Sequence, residues 1–242
     1  MRVIGLLLAL FSLEGWAAEK PKIVFIAGEY EYKSKETLPP FASELGREFG
    51  VETVMLQRPD DEKVQSIPGL EALRGADLAV LFVRRMTLPE SELAEIRRYL
   101  EAGKPLVALR TSSHAFENWK EFDKEVLGGN YQGHFGNKLK TTVKAMTDAQ
   151  RDPLLNGVNE FISEGSLYKN TPLREGSKVL LMGSVEGHPP HPIAWTHEYK
   201  GGRIFYTSLG HPNDFKQESF KRLLRNGIEW ALREPLKKTE AK

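Results

Sequence analysis

The chain has 242 residues, 40% hydrophobic and 10% aromatic, which is enough apolar material for one large domain and too much for a disordered chain. Its 34 basic and 33 acidic residues leave a formal charge of +1, so no field of one sign is present to hold a polyanion, which argues against nucleic acid as the main partner. With no cysteine, disulfides, thiol nucleophiles and lipid attachment through sulfur are all excluded.

The amino terminus reads as a signal peptide over residues 1–18. Arg2 supplies a positive start, Val3 to Leu13 is an almost wholly apolar run, and Gly15 to Ala18 offers small residues for cleavage. The run is short for a membrane span, so the reading predicts an exported, periplasmic or extracellular protein with no stable span after cleavage. The expected domain covers residues 19–235, followed by a charged tail at 236–242.

In chain order, Lys22–Ala27, Val51–Leu56, Ala76–Val83 and Pro105–Leu109 are apolar runs of strand length. Between them, Leu38–Phe49 and Pro89–Ala102 carry helical spacing and end at Gly50 and Gly103. Strands alternating with helices predict an α/β fold with a doubly wound, mostly parallel sheet of flavodoxin-like type. After His114 the pattern changes. Trp119–Leu127 reads as a short helix and the glycine-rich stretch 128–136 as a loop. Lys140–Ala145, Lys178–Met182, Ile193–Glu198 and Arg203–Ser208 read as strands. Lys200-Gly201-Gly202 signals the turn of an antiparallel hairpin extension. Phe215–Leu232 closes the chain as an amphipathic helix, and Asp152-Pro153 reads as a helix-start cap.

Open α/β sheets bind ligands at the carboxyl ends of their strands. That rule selects Gly28–Tyr32, Arg85–Thr87 and Arg110–His114. Glu29, directly after the first strand, is a candidate acid, base or hydroxyl acceptor. Arg110 follows the fourth strand and is a candidate oxygen-holding cation or an ion-pair partner of Glu29. His114, His134 and His211 lie in loops that return to the same edge, and histidine is readily poised near neutral pH. Tyr131 and Tyr168 offer aromatic faces on which a ligand can stack. Trp195, in an alternating strand, reads as core, and the His188/His191 pair in its proline-rich loop reads as no metal site. Ser112 and Ser113 lack the G-x-S-x-G context of a serine hydrolase. The sequence names no cofactor and assigns no metal ligand.

The helix, capping glycine, buried strand and sharp turn over Gly103–Arg110 resemble the nucleophile elbow of class I glutamine amidotransferase-like domains, with Arg110 where that superfamily has its cysteine. A more specific resemblance is to the ThuA-like (trehalose utilisation) family, from about Lys22 to Leu232. It is carried by GEYEYKSKETLP at 28–39, ALRTSSHAF at 108–116, EVLGGNYQGHFGN at 125–137, GSLYK at 165–169 and PIAWTHEYKGGRIFYTSLGHPNDF at 192–215. Family members commonly carry His at the elbow, where this chain has Arg110. From their places at the strand ends, Glu29, His114 and His134 are candidate catalytic groups and Arg110, Tyr131, Tyr168 and His211 candidate ligand-binding ones. The resemblance adds an expected role in the use of trehalose-type disaccharides or keto-sugars. It does not imply glutaminase activity. Two other classes of function stay open: a non-catalytic carbohydrate-binding or assembly module, and a metal-dependent hydrolase using His114, His134 and His211.

Overall fold

The structure, a computed structural model, describes residues 20–239; the expected leader lies outside them. Nine strands form one sheet: β1 (Lys22–Gly28), β2 (Glu52–Gln57), β3 (Leu78–Val83), β4 (Leu106–Leu109), β5 (Thr141–Ala145), β6 (Phe161–Ser163), β7 (Lys178–Ser184), β8 (His191–Tyr199) and β9 (Gly202–Thr207). Their spatial order is β2-β1-β3-β4-β9-β8-β7-β5-β6. Among the described residues three α-helices accompany these nine strands: α1 (Ser34–Phe49), α2 (Glu90–Glu101) and α3 (Glu218–Leu232).

The near-continuous apolar strands lie where both faces are covered, as parallel strands require. Phe25, Val80, Val107 and Phe205 stand side by side across β1, β3, β4 and β9 and share a core with Leu38 and Leu45 of α1 and Leu224 and Ile228 of α3. The alternate residues, among them Val24, Leu81, Ala108 and Tyr206, pack on the other face against Leu93, Ile96 and Tyr99 of α2. Side chains alternate between faces with period two, so one sheet serves two cores.

The expectation of a mostly parallel sheet with a hairpin added is corrected to a mixed sheet, parallel at one end and antiparallel at the other. β2, β1, β3, β4 and β9 pair in parallel, whereas β9, β8, β7, β5 and β6 pair antiparallel. The physical reason is the connections. Parallel neighbours need long crossovers, and the chain from β5 to β9 has no α-helix with which to make them. The hairpin itself stands as read: β8 and β9 are joined at Lys200 and Gly201, both at positive φ. β6, only three residues long, has no sequence signature.

Helix α1 begins one turn before Leu38. Both carboxylate oxygens of Glu29 accept N–H groups at its start, from Tyr32 at 2.8 and 3.0 Å and from Ser34 at 2.9 Å. These satisfy donors that a helix cannot satisfy internally. Around Trp119–Leu127 the helical part is one wide turn over Asp123–Leu127, closed by Gly128 at φ 69°. Asp152 caps the short turn Pro153–Leu155 by accepting from Leu154 N at 2.9 Å. Trp195 is fully buried and donates to Leu127 O at 2.7 Å. The tail past α3 is held as far as it is described: Leu236 is buried and Thr239 N donates to Glu48 O at 2.8 Å. Among the described residues no helix is long and apolar enough to cross a membrane.

Candidate functional site

The carboxyl ends of β1, β3, β4 and β9 open on one edge of the sheet, and the segments that follow them meet there. After β4 the chain turns sharply. Arg110 has φ 42°, a left-handed conformation uncommon outside glycine and associated with functional turns. The turn Arg110–His114 is pinned from both sides. Tyr206 Oη donates to Arg110 O at 2.7 Å, and Ser112 Oγ donates to Leu81 O at 2.9 Å. Arg85 N and Met86 N donate to His114 O and Ala115 O, which ties the β3 and β4 loops together.

Arg110 is buried at 1% exposure. Its Nη1 donates to Ser208 O at 2.8 Å and its Nη2 to Ser166 Oγ at 3.3 Å, while Nε has no partner. The guanidinium lies 3.9 Å from the Tyr32 ring centre and 4.8 Å from that of Tyr168, a cation held between two π faces. Gly165 passes so close that a Cβ there would stand 2.6 Å from Nη1. Arg110 makes no ion pair with Glu29; among the described residues no carboxylate lies within ion-pair distance of it. Glu29 is spent on the start of α1 instead, and burial raises its carboxyl to about 7 against the pull of the Tyr32 and Ser34 N–H groups.

Tyr168 links this cation to the histidines. Its ring centre lies 4.6 Å from Tyr131, 6.1 Å from His114 and 6.3 Å from His134. His114 and Tyr131 stack at 4.4 Å, nearly parallel. His211 joins from the other side, 6.3 Å from Tyr32. The residues singled out in the sequence thus form one connected aromatic and cationic cluster, apart from Glu29, which sits at its back. They do not all face one cavity. A cleft of about 960 Å³ is lined by His114, Tyr131 and His134 together with Ser113, Arg85 and Asp123. Arg110, Tyr168 and His211 lie behind or beside its wall. Glu29 lines a neighbouring recess of about 560 Å³ that shares Arg85 with the cleft.

The electrostatics divide the roles. Burial, then the nearby Arg85, Arg84 and Arg110, holds His114 down at about 3, so its imidazole is neutral at any physiological pH. Ser113 Oγ lies 3.1 Å from its Nδ1. His134 is exposed and its Nδ1 donates to the Phe135 carbonyl at 2.6 Å. Burial also lowers His211, whose Nδ1 accepts from Asn213 N at 3.2 Å. The three histidines are spread over the cluster, and among the described residues no group of three or more His, Cys, Asp or Glu side chains is arranged to hold a metal ion. His188 and His191 lie apart from the cleft and pack on Phe135 at 4.3 and 5.6 Å.

Asp123 escaped the sequence reading. It is 7% exposed, lines the cleft, and accepts from Tyr131 N at 2.7 Å through Oδ2, while Oδ1 has no partner. Gly129 faces it: a Cβ there would stand 2.8 Å from the Asp123 Cγ and overlap Oδ1. The adjoining Gly128 is equally confined, with its would-be Cβ 2.6 Å from His197 Cγ. The Gly128-Gly129 pair was the available signal, since paired glycines mark a close backbone approach.

Comparison with known proteins matches this architecture. The family model ThuA, described as trehalose utilisation, matches residues 22–231. A ThuA-like protein from Bacteroides uniformis has a similar fold, with TM-score 0.67 at 18% identity over 88% of this chain and 93% of that one. One from Parabacteroides merdae has TM-score 0.67 at 16% identity over 93% and 94%. Part of a β-galactosidase from Rahnella sp. R3 is also similar, with TM-score 0.57 at 14% identity over 89% of this chain and 32% of that one. No curated protein is significantly similar to the chain.

Proposed function

The chain belongs to the ThuA (trehalose utilisation) family, and from that premise we propose that it binds a trehalose-type disaccharide, or a keto-sugar made from one, in the cleft beside His114 and acts on it by acid–base chemistry. The observation that carries the reading is the stacked His114–Tyr131 pair at the wall of a cleft whose rim alternates cations and anions. An aromatic face takes the C–H side of a pyranose ring, and charged groups such as Arg85, Glu117 and Lys120 take its hydroxyls. Arg110 holds the platform from behind by fixing Tyr32 and Tyr168. His114 serves this site as a neutral imidazole that donates or accepts a hydrogen bond, and His134 and His211 shape its outer margin.

The test is a thermal-shift titration with trehalose and with its keto derivative, since a ligand that binds only the folded state raises the melting temperature by mass action. Binding lost in Tyr131→Ala, in a protein that stays folded, supports the cleft. No shift with any disaccharide sinks it. The neutral state of His114 favours a second reading, a binding module without turnover. Product formation from either sugar decides between the two.

We also propose export, from the apolar run and small residues at the amino terminus. Amino-terminal sequencing of the secreted or periplasmic protein should give Ala18 or Glu19 as the first residue; a cytosolic chain that keeps Met1 defeats this.

A further inference from the structure

A cleft that performs acid–base chemistry needs a group that changes protonation near its working pH and reaches the bound molecule. Most of the candidates are neutral, occupied or out of reach, and one stands only at the margin. His114 stays neutral across the physiological range because burial and three arginines oppose its cation. Glu29 has both oxygens occupied at the start of α1 and lines the neighbouring recess. His134 stands exposed at the outer margin, its Nδ1 donating to the Phe135 carbonyl and only its Nε2 left to meet a ligand. Arg110 is buried behind Tyr168.

We propose that Asp123 is the residue that moves protons to and from the sugar in this cleft, an assignment that rests on the carbohydrate reading above. It lines the same cavity as His114 and Tyr131. A carboxylate can accept about four hydrogen bonds. Asp123 receives one, on Oδ2 from Tyr131 N at 2.7 Å, and its Oδ1 is buried against Gly129 without a partner, so Oδ2 is the oxygen left to meet the sugar. An ionised carboxylate so poorly partnered is costly, which favours the acid form. Burial leads the shift that raises this carboxyl to about 7, with the Tyr131 N–H opposing it.

The groups around it leave that balance in place. Tyr206 on β9 stays protonated, being raised well above its usual range by burial. Lys120, Glu121 and Lys124, on its own segment, carry opposed charges and are exposed. His114 across the cleft is uncharged, and Arg85 beyond it sits within reach of Glu117 at 3.5 Å. A Cβ at Gly129 would overlap the carboxyl, so glycine there leaves Asp123 the space it occupies.

The step balances within the protein. The acid form gives its proton to a carbonyl oxygen of the sugar, making an O–H bond, and becomes a carboxylate. That carboxylate then takes a proton from the neighbouring carbon or from a hydroxyl, and the acid form returns with no net gain or loss.

The experiment incubates the protein in D₂O with a keto-disaccharide made by oxidising one secondary hydroxyl of trehalose. Proton NMR follows deuterium entering beside the carbonyl, and a thermal shift reports binding in parallel. The wild-type protein should bind and exchange. Asp123→Asn should still bind but exchange at least about 100-fold more slowly, the scale of a lost general acid–base group. His114→Gln should lose less. Carbon-13 NMR of the wild-type Asp123 carboxyl, which needs no variant to fold, should show a midpoint near 7. Equal exchange by wild type and Asp123→Asn, binding without exchange, or a carboxyl midpoint near the ordinary 4 overturns the assignment and leaves the sugar cleft standing. No binding by the wild type overturns the cleft itself, and with it the role given to Asp123.

Discussion

Gly129 and Asp123 share a space that holds one of them only because the other has no side chain: a Cβ on Gly129 would stand 2.8 Å from the Asp123 Cγ. Neither neighbour can yield easily, since Asp123 is buried and its Oδ2 is tied to Tyr131 N. Gly129→Ala should therefore cost about 1–3 kcal/mol, the usual scale for overpacking a filled site. Urea denaturation measures the loss. An unchanged midpoint would show that the carboxyl can move aside at little cost.

Arg110 gives a second expectation. Lysine retains the charge at this position but cannot reproduce the planar fork that reaches Ser208 O and Ser166 Oγ and stacks between Tyr32 and Tyr168. Arg110→Lys should lose about 2 kcal/mol or more, because a buried ammonium with fewer partners replaces a guanidinium held by two hydrogen bonds and two ring faces. Retention of full stability in chemical denaturation would mean that the tyrosine rings, and not the hydrogen bonds, set the value of the site.

Glu29 carries a pH signature. Its folded carboxyl is raised from 4.5 to about 7, so the folded state prefers the acid form more than the unfolded chain does. The sign follows: stability from this group is fully present below about 4.5 and is lost as pH rises toward 7. A shift of that size corresponds to about 3 kcal/mol. Glu29→Gln, which removes the titration, should flatten the fall in melting temperature between pH 5 and pH 8. A variant as pH-sensitive as the wild type contradicts the buried-acid account.

His114 works in the opposite sense. Its folded value is lowered from 6.5 to about 3, so protonation opposes folding, and its contribution is lost as pH falls from 6.5 toward 3. Its ring proton resonances should not move between pH 8 and pH 5. A titration near 6.5 in the folded protein would show that the imidazole is far wetter than its packing against Tyr131 indicates.

The parallel half of the fold was readable because burial on both faces leaves unbroken apolar runs such as Leu78–Val83. The antiparallel half was read in pieces. β5 and β8 alternate visibly, but nothing local says that β5 pairs with β7 rather than starting a new layer, and Phe161–Ser163 is too short for a pattern. The same boundary divides the candidate site. Arg110, His114 and His211 are legible from where they follow strands, since the topology rule needs only the strand positions. The stack of His114 on Tyr131 and the cation between Tyr32 and Tyr168 arise from segments distant in sequence. Glu29 was placed at the right strand end, yet its carboxylate direction was set by the early start of α1, which Pro39 and Pro40 obscure. Asp123 reads as one more charge on a helical turn, and only the fold reveals what Gly129 clears for it.

The strand order also governs how the chain can be made. β9 is the last of the nine strands in sequence, yet it takes the fifth and central place in the sheet, pairing with β4 on one side and β8 on the other. Until residues 202–207 emerge from the ribosome or from a translocation channel, β4 has an open apolar edge and the antiparallel strands have nothing to anchor to. A nascent chain of this protein therefore acquires its central seam only after the other eight strands have been made. A truncation just before Gly202 would strand two half-sheets with their sticky edges facing each other, a form prone to association rather than a smaller stable domain.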